Sequence, residues 1–281
     1  MEFYVFVAVI AAAFLHALWN SLVKGGSDKY LGMSAVVLGH VPFALLALLF
    51  VPLPALESIP YILAGIVLHT GYQIFLLYSY KLGDLTQVYP MARGTAPLLV
   101  AGVSVLFLGE VLAGLELLAV FTIAAGILSI SLERKRSGAR NNGASILAFI
   151  TGCFIASYSL IDGMGARISG NSLSFYSILS LGNSLLFFLI MLYRNPLVLK
   201  RLVLHNKLLF LGSGLASYVA YALVIWAFTL APIALVTALR ETSIIFALVI
   251  GTFVLKESIS VWRVFSTMMT LMGAALLRFA K

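Results

Sequence analysis

The sequence predicts an all-α membrane protein with ten transmembrane helices in two inverted five-helix repeats. Hydrophobic residues make up 62% of the 281 residues and charged residues only 10%, whereas soluble domains have roughly 45–50% and 25%. The apolar residues fall into runs of about 20, the length that crosses a hydrocarbon core of about 30 Å. In addition, the two halves of the chain share a pattern of rare residues at a constant offset.

Glycine, proline or charged residues separate the apolar runs, as is usual at helix ends. We expect spans at 3–23, 31–51, 60–80, 86–108, 112–132, 143–161, 172–193, 208–229, 233–255 and 260–279. One of the expected breaks is Gly163-Met164-Gly165. The segment 197–204, with Lys200 and Arg201 among aliphatic residues, is predicted to be a short amphipathic helix along the membrane interface.

An internal repeat appears when the first half is shifted by 147 positions, because rare residues then coincide without a gap. The shift places Arg93 on Arg240, Thr95 on Thr242, Leu108 on Leu255, Glu110 on Glu257 and Gly126 on Gly273. A noisier shift of 142 positions places Asn20 on Asp162. We therefore expect a first repeat at 1–133, a basic connecting loop at 134–142 and a second repeat at 143–281.

The odd number of helices in each repeat makes the second repeat enter the membrane from the opposite side. Inverted repeats of this kind occur in many secondary transporters, where two bundles rock about a cavity near the membrane midplane. The leading prediction of function is thus transport of a small solute by alternating access.

Short motifs add a family resemblance that covers essentially the whole chain. The first span contains His16-Ala17-Leu18-Trp19-Asn20, and spans four and nine end in Leu108-Gly109-Glu110 and Leu255-Lys256-Glu257. Together they resemble the EamA-type transporters of the drug/metabolite transporter superfamily, and the opening motif and length also resemble members associated with phosphonate utilisation. The resemblance implies a multi-pass permease for metabolites in the plasma membrane, which is the inner membrane in a Gram-negative bacterium. Lys256 departs from the pattern, because the first repeat has Gly109 there.

Charged residues inside the spans are the first candidates for the site, since a charge in mid-membrane is costly and normally has a partner. Arg93 and Arg240 each lie about seven residues, or about 10 Å, into their helix. Because the repeats are inverted, the two guanidinium groups approach from opposite faces and can meet one anionic solute. The alternative is that each arginine snorkels to its nearer interface or ties helices together. Glu241 is a candidate for carrying a coupling proton, and the alternative for it is an interhelical salt bridge or hydrogen bond.

Two polar and aromatic stripes are candidates for lining a cavity. His16, Trp19 and Asn20 form one face of the first helix, and His69, Tyr72 and Gln73 form one face of the third. Such a face is costly toward lipid, although polar side chains also serve as ordinary links between membrane helices. Tyr89 precedes Arg93 beside Pro90 and is a further candidate, since a proline there permits a bend at a gate.

Other classes of function lack their signatures. The single cysteine, Cys153, forms no intrachain disulfide, and the P-loop, nucleophile-elbow and HExxH motifs are missing, so we expect no cofactor, no metal site and no enzyme activity. The net charge of +8 lies mostly in loops beside apolar segments, where lipid headgroups explain it better than nucleic acid. Without a P-loop we do not expect an ATP-driven pump, so the expected energy source is a proton gradient or solute exchange.

The sequence leaves the membrane orientation and two rival functions open. Of the loop cations, 12 lie on one face and 3 on the face that holds both termini, so the positive-inside rule places the termini outside the cytoplasm. The family resemblance implies cytoplasmic termini instead. The leading function is secondary transport of a small polar, anionic metabolite through the lipid bilayer. The rivals are a non-transporting accessory or sensor subunit and an intramembrane enzyme acting on lipid headgroups. Substrate, direction of transport, coupling ion and oligomeric state are left open.

Overall fold

The computed structural model describes residues 1–24, 28–82, 85–129, 142–254 and 261–279, with only the backbone described at 24, 80–81, 85–90, 142 and 203–205. Every regular element in these ranges is a helix. The helices are α1 (Phe3–Lys24), α2 (Lys29–Leu38), α3 (Val41–Leu48), α4 (Ile59–Leu82), α5 (Leu85–Phe107), α6 (Gly114–Ser129), α7 (Asn142–Ile168), α8 (Ser172–Arg194), α9 (Pro196–His205), α10 (Lys207–Phe228), α11 (Ile233–Arg240), α12 (Ser243–Phe253) and α13 (Val261–Phe279), with a 3₁₀ turn at Leu56–Ser58. The predicted all-helical class is confirmed.

Seven helical segments of the described chain are long and apolar enough to cross a membrane. They are Phe3–Val23, Lys29–Leu48, Leu56–Ser79, Gly143–Ile168, Ser172–Arg194, Lys207–Phe228 and Ile233–Phe253. Met91–Phe107 and Gly114–Ser129 are shorter apolar helices, and α13 is not among the seven. A multi-pass membrane protein is therefore indicated, whereas the count of ten spans is not confirmed.

Two of the predicted spans are broken in the middle, contrary to the expected continuous helices at 31–51 and 233–255. The first break lies at Gly39 and His40 between α2 and α3, where Pro42 stands at the start of α3 and has no N–H to continue the helical ladder. The second lies at Glu241 and Thr242 between α11 and α12. There the Thr242 hydroxyl donates to the Leu239 carbonyl at 2.8 Å, a local bond that competes with helical pairing.

The expected break at Gly163-Met164-Gly165 is wrong, because α7 runs through it without interruption. Instead of ending a helix, these glycines make room for side chains that pack against α7. A Cβ atom on Gly163 would lie 2.5 Å from Ile233 Cδ1, and one on Gly165 would lie 2.5 Å from Phe175 Cε2. As a result the span extends beyond 161, and Asp162 lies inside a helix, fully buried.

The predicted segment 197–204 is helical and forms α9, which begins at Pro196. The connecting loop predicted at 134–142 lies outside the described residues except for Asn142, which begins α7. Much of the bundle's outer surface is apolar, with Phe50 and Phe107 exposed by 78% and 79%, as expected of a surface that faces lipid.

Helices α6 and α13 pack closely through two glycines that the 147-residue shift aligns. Added Cβ atoms would bring Gly126 within 2.6 Å of Met269 Cβ and 3.1 Å of the Ser266 carbonyl, and Gly273 within 2.9 Å of the Ala119 carbonyl. Ala119 and Ser266 are themselves 147 residues apart. The contact is thus reciprocal, as at an interface between two copies of one unit.

We expect Gly126→Ala and Gly273→Ala each to lower the stability of the protein by about 1–3 kcal/mol, because the added methyl group overpacks the contact. Thermal unfolding of the purified protein in detergent measures the loss. Gly102→Ala is the control, since a Cβ there meets no atom within 4 Å. Unfolding temperatures equal to the control for both variants would contradict this packing.

Candidate functional site

A cavity of about 90 Å³ lies inside the bundle and is lined by both halves of the chain. Seven of the residues predicted for the site line it: His16, Trp19, His69, Tyr72, Gln73, Arg93 and Arg240. The two predicted stripes therefore face one space, together with both arginines.

Three other predicted residues have different positions. The Asn20 side-chain amide donates to the His16 carbonyl within α1 at 2.8 Å, and Asn20 is not among the lining residues. Tyr89 lies on α5, but its side chain is outside the described part of the structure. Glu241 lies behind the lining, next to Arg240, where it contacts both arginines.

Arg93 and Glu241 form a buried ion pair that joins the two halves. Arg93 Nε donates to Glu241 Oε2 at 2.8 Å, and the two side chains are 5% and 2% exposed. Arg93 Nη2 also lies 3.4 Å from Ser243 Oγ. The geometry is thus that of the interhelical salt bridge, the alternative considered for Glu241, and it neutralises Arg93.

Arg240 has no comparable partner. Its Nε lies 4.0 Å from Glu241 Oε1, and its guanidinium carbon lies 5.8 Å from the centre of the Tyr221 ring. Among the described residues, neither Nε nor Nη2 has a hydrogen-bond partner, although both are buried. Glu241 Oε2 accepts from Arg93, and Oε1 has no hydrogen-bond partner among the described residues, so the two guanidinium groups share this carboxylate beside the cavity.

Sequence reasoning missed much of the cavity wall. Tyr158 stacks on His69 with ring centres 4.1 Å apart, and Asn183 accepts a hydrogen bond from the Gln73 amide at 2.8 Å. His40 lies at the break between α2 and α3, with Nδ1 3.0 Å from Ser180 Oγ. The available signal was polarity within apolar spans, which marks Asn183 in α8 and His40 in the second predicted span.

Asp162 is the second missed feature of the site. It is fully buried, and its Oδ2 accepts from the Tyr221 hydroxyl at 2.7 Å and lies 2.7 Å from His69 Nε2. The 142-residue shift aligns Asp162 with Asn20, but the adjacent Gly163-Met164-Gly165 predicts a break between helices at this point. Its helix and its burial became visible only in the structure.

Glu110 lies away from the cavity and ties three chain segments together. Its Oε1 accepts from Arg167 Nη2 at 2.9 Å and from the backbone N–H of Ile233, the first residue of α11, at 3.1 Å. Arg167 also donates to the Phe228 carbonyl at 2.9 Å. Glu110 therefore anchors the ends of these segments to one another. Its repeat counterpart, Glu257, lies outside the described residues.

An apolar helical bundle around a small, charge-lined interior cavity indicates a multi-pass integral membrane protein. Residues 143–279 match the model of the EamA-like transporter family, which confirms the family resemblance of the chain. The second half of the chain is therefore similar to the EamA-type transporters of the drug/metabolite transporter superfamily.

A solved crystal structure is similar to this chain with a TM-score of 0.74 and 16% sequence identity, covering 98% of this chain and 96% of the other. That likeness supports the fold alone. None of the curated proteins compared matches the chain. The association with phosphonate utilisation stays a prediction.

We expect Glu241→Gln to destabilise the protein by roughly 3–5 kcal/mol, because it leaves Arg93 buried without a counter-charge. The double variant Arg93→Gln with Glu241→Gln should lose less than the sum of the two single losses, since it removes both charges. Unfolding in detergent measures this cycle, with the exposed Glu57→Gln as the control. Additive losses would mean that the two side chains do not stabilise each other.

Proposed function

We propose that the protein is a secondary transporter that carries a small anion by alternating access, with Arg240 binding the anion. One observation carries the proposal: the guanidinium of Arg240 is buried at the cavity, and two of its nitrogens have no partner among the described residues. A buried charge of this kind is costly unless it is paired. A solute carboxylate or phosphate is the natural partner, because it accepts the charge-assisted hydrogen bonds that guanidinium donates.

This assignment differs from two arginines sharing one anion. Arg93 is already paired with Glu241 at 2.8 Å, so its role is to hold that carboxylate and leave Arg240 as the net positive group. Trp19 supplies a second donor, since its indole Nε1 is buried at the cavity with no partner in the described part of the chain. Donors without acceptors favour an oxyanion over a neutral or cationic solute.

The proposed transport cycle uses ten spans in two inverted repeats, and the helix contacts support this arrangement. Helix α1 packs on α10, and α4 packs on α7. By order along the chain, α7 is the counterpart of α1 and α10 is the counterpart of α4. Exchanging the two halves of the chain therefore turns the α1–α10 contact into the α7–α4 contact. The reciprocal glycine contact between α6 and α13 obeys the same exchange. A pseudo-two-fold axis of this kind makes inward- and outward-facing states similar in energy.

The contacts at the two ends of the bundle differ, and this difference supports access to the cavity from one end. At one end, Glu110 and Arg167 hold the ends of α7 and α10 and the start of α11 together. Trp19 and Arg93 lie nearer the opposite end, in the last turns of α1 and the first half of α5. That end carries the larger share of basic loop residues, so the positive-inside rule turns the cavity toward the cytoplasm.

We expect Arg240→Gln to weaken anion uptake roughly ten- to a hundredfold, the usual loss for a hydrogen bond to a charged group. Proteoliposomes are assayed with radiolabelled inorganic phosphate, lactate and glutamate, and with alanine as the neutral solute. Arg240→Lys should recover part of the uptake, because it restores the charge without the bidentate geometry.

Arg201→Gln is the control, since the Arg201 side chain is 62% exposed on α9, 3.7 Å from Asp28 Oδ2, and is not among the residues that line the cavity. Equal uptake by the parent protein and by the Arg240→Gln variant would refute Arg240 as the anion site. Binding of an anion without any flux would favour the accessory or sensor subunit instead.

A further inference from the structure

We propose that Asp162 and His69 together form a proton-binding site whose occupancy controls anion binding at Arg240, so that one proton accompanies each anion. The proposal rests on the transport function proposed above and adds the identity of the coupling ion. It also moves the coupling role from Glu241, which the structure shows paired with Arg93, to a pair of residues on α7 and α4.

The geometry of the pair suits a shared proton. His69 Nε2 and Asp162 Oδ2 lie 2.7 Å apart, within the range of a charge-assisted hydrogen bond between an imidazole and a carboxylate. The Tyr221 hydroxyl donates to the same oxygen at 2.7 Å. Asp162 Oδ1 is buried and has no partner among the described residues. One oxygen of the carboxyl group, Oδ2, is therefore held by two neighbours, and the proton shared with His69 lies between this oxygen and Nε2.

A proton can reach this pair from the cavity. Asp162 is fully buried and does not line the cavity, whereas His69 does line it and is 13% exposed. The imidazole thus separates the carboxyl group from the cavity. When Nδ1 of His69 takes up a proton from the cavity, the proton on Nε2 can pass to Asp162 Oδ2, in the way histidines act as proton shuttles.

Charge balance links this proton to the anion. Arg93 and Glu241 cancel each other, so Arg240 and Asp162 are the remaining charges of the described cavity region when His69 is neutral. Their charges sum to zero. One added proton on the Asp162–His69 pair makes the region net positive, and an anion then restores neutrality. Because binding linkage is reciprocal, the anion must favour the proton as strongly as the proton favours the anion.

Tyr221 connects the two sites physically. Its hydroxyl contacts Asp162, and its ring lies beside the Arg240 guanidinium, 5.8 Å from the guanidinium carbon. Other ionisable groups also surround the pair, from each element packed around it. They are Tyr72 on α4, Arg93 on α5, Tyr158 on α7, Tyr176 on α8, Tyr218 and Tyr221 on α10, Arg240 on α11, and His40 between α2 and α3. Among the described residues, Asp162 supplies the carboxyl group that His69 contacts.

The first test needs no solute. Infrared difference spectra of the purified parent protein between pH 5 and 9 should show a carboxyl or imidazole band that titrates, and both Asp162→Asn and His69→Gln should abolish it. Glu57→Gln, which removes an exposed carboxylate, should leave the band in place. Titration that persists in both variants overturns the site, and titration that persists in only one assigns the proton to a single residue and overturns the shared site. Size-exclusion profiles identify variants that misfold, in which case Tyr221→Phe, which should shift the same band, replaces them.

The second test measures coupling in proteoliposomes with whichever of inorganic phosphate, lactate or glutamate the parent takes up. Anion uptake should acidify the lumen, as read by a trapped pH dye, and the apparent anion affinity should fall about tenfold per pH unit across the range in which the pair titrates. In Asp162→Asn both the acidification and the pH dependence should be lost. Acidification that persists in that variant overturns the coupling. If the parent takes up no anion, the transport function fails, while the infrared titration still decides the proton site.

Discussion

The ion pair between Arg93 and Glu241 is the interaction on which the centre of this protein depends. It crosses from α5 in the first half to the break between α11 and α12 in the second, and both side chains are almost fully buried. In an apolar bundle a lone charge at this depth would be expelled or neutralised. Because the carboxylate goes to Arg93, the adjacent Arg240 keeps a net charge beside the cavity, and the proposed anion site follows from that choice of partner.

The interruptions in the helices serve the same cavity. His40 stands at the first break and Arg240 ends the helix before the second, and both line the cavity. Irregular backbone at membrane depth is tolerated only where it is buried in protein or lines a cavity. At a break, the direction of a side chain is not fixed by the periodicity of a continuous helix. His40 and Arg240 can therefore point into the same cavity as residues of α4, α7 and α10.

Much of the candidate site was predictable from the sequence. Polar residues cost free energy inside apolar spans, so they are rare there and the few that occur are easy to identify. Helical spacing alone brought His69, Tyr72 and Gln73 onto one face, and rarity alone marked Arg93 and Arg240. Asp162 escaped because the glycines that follow it suggest a loop. In the structure those glycines make room for Ile233 and Phe175, and such close packing between distant segments leaves no signal in a local pattern.

The sequence by itself determined the solvent in which this protein folds, the helical class and the residues too polar to face lipid, since these follow from composition and periodicity. Only the tertiary structure decided which charges pair. Adjacent residues such as Arg240 and Glu241 can point to different partners, and the one that pairs with Arg93 depends on contacts between helices nearly 150 residues apart. The same holds for Asp162, whose partners His69 and Tyr221 come from two other helices. The local sequence sets the free-energy cost of burying a polar group, whereas the packing of the helices decides which partner offsets that cost.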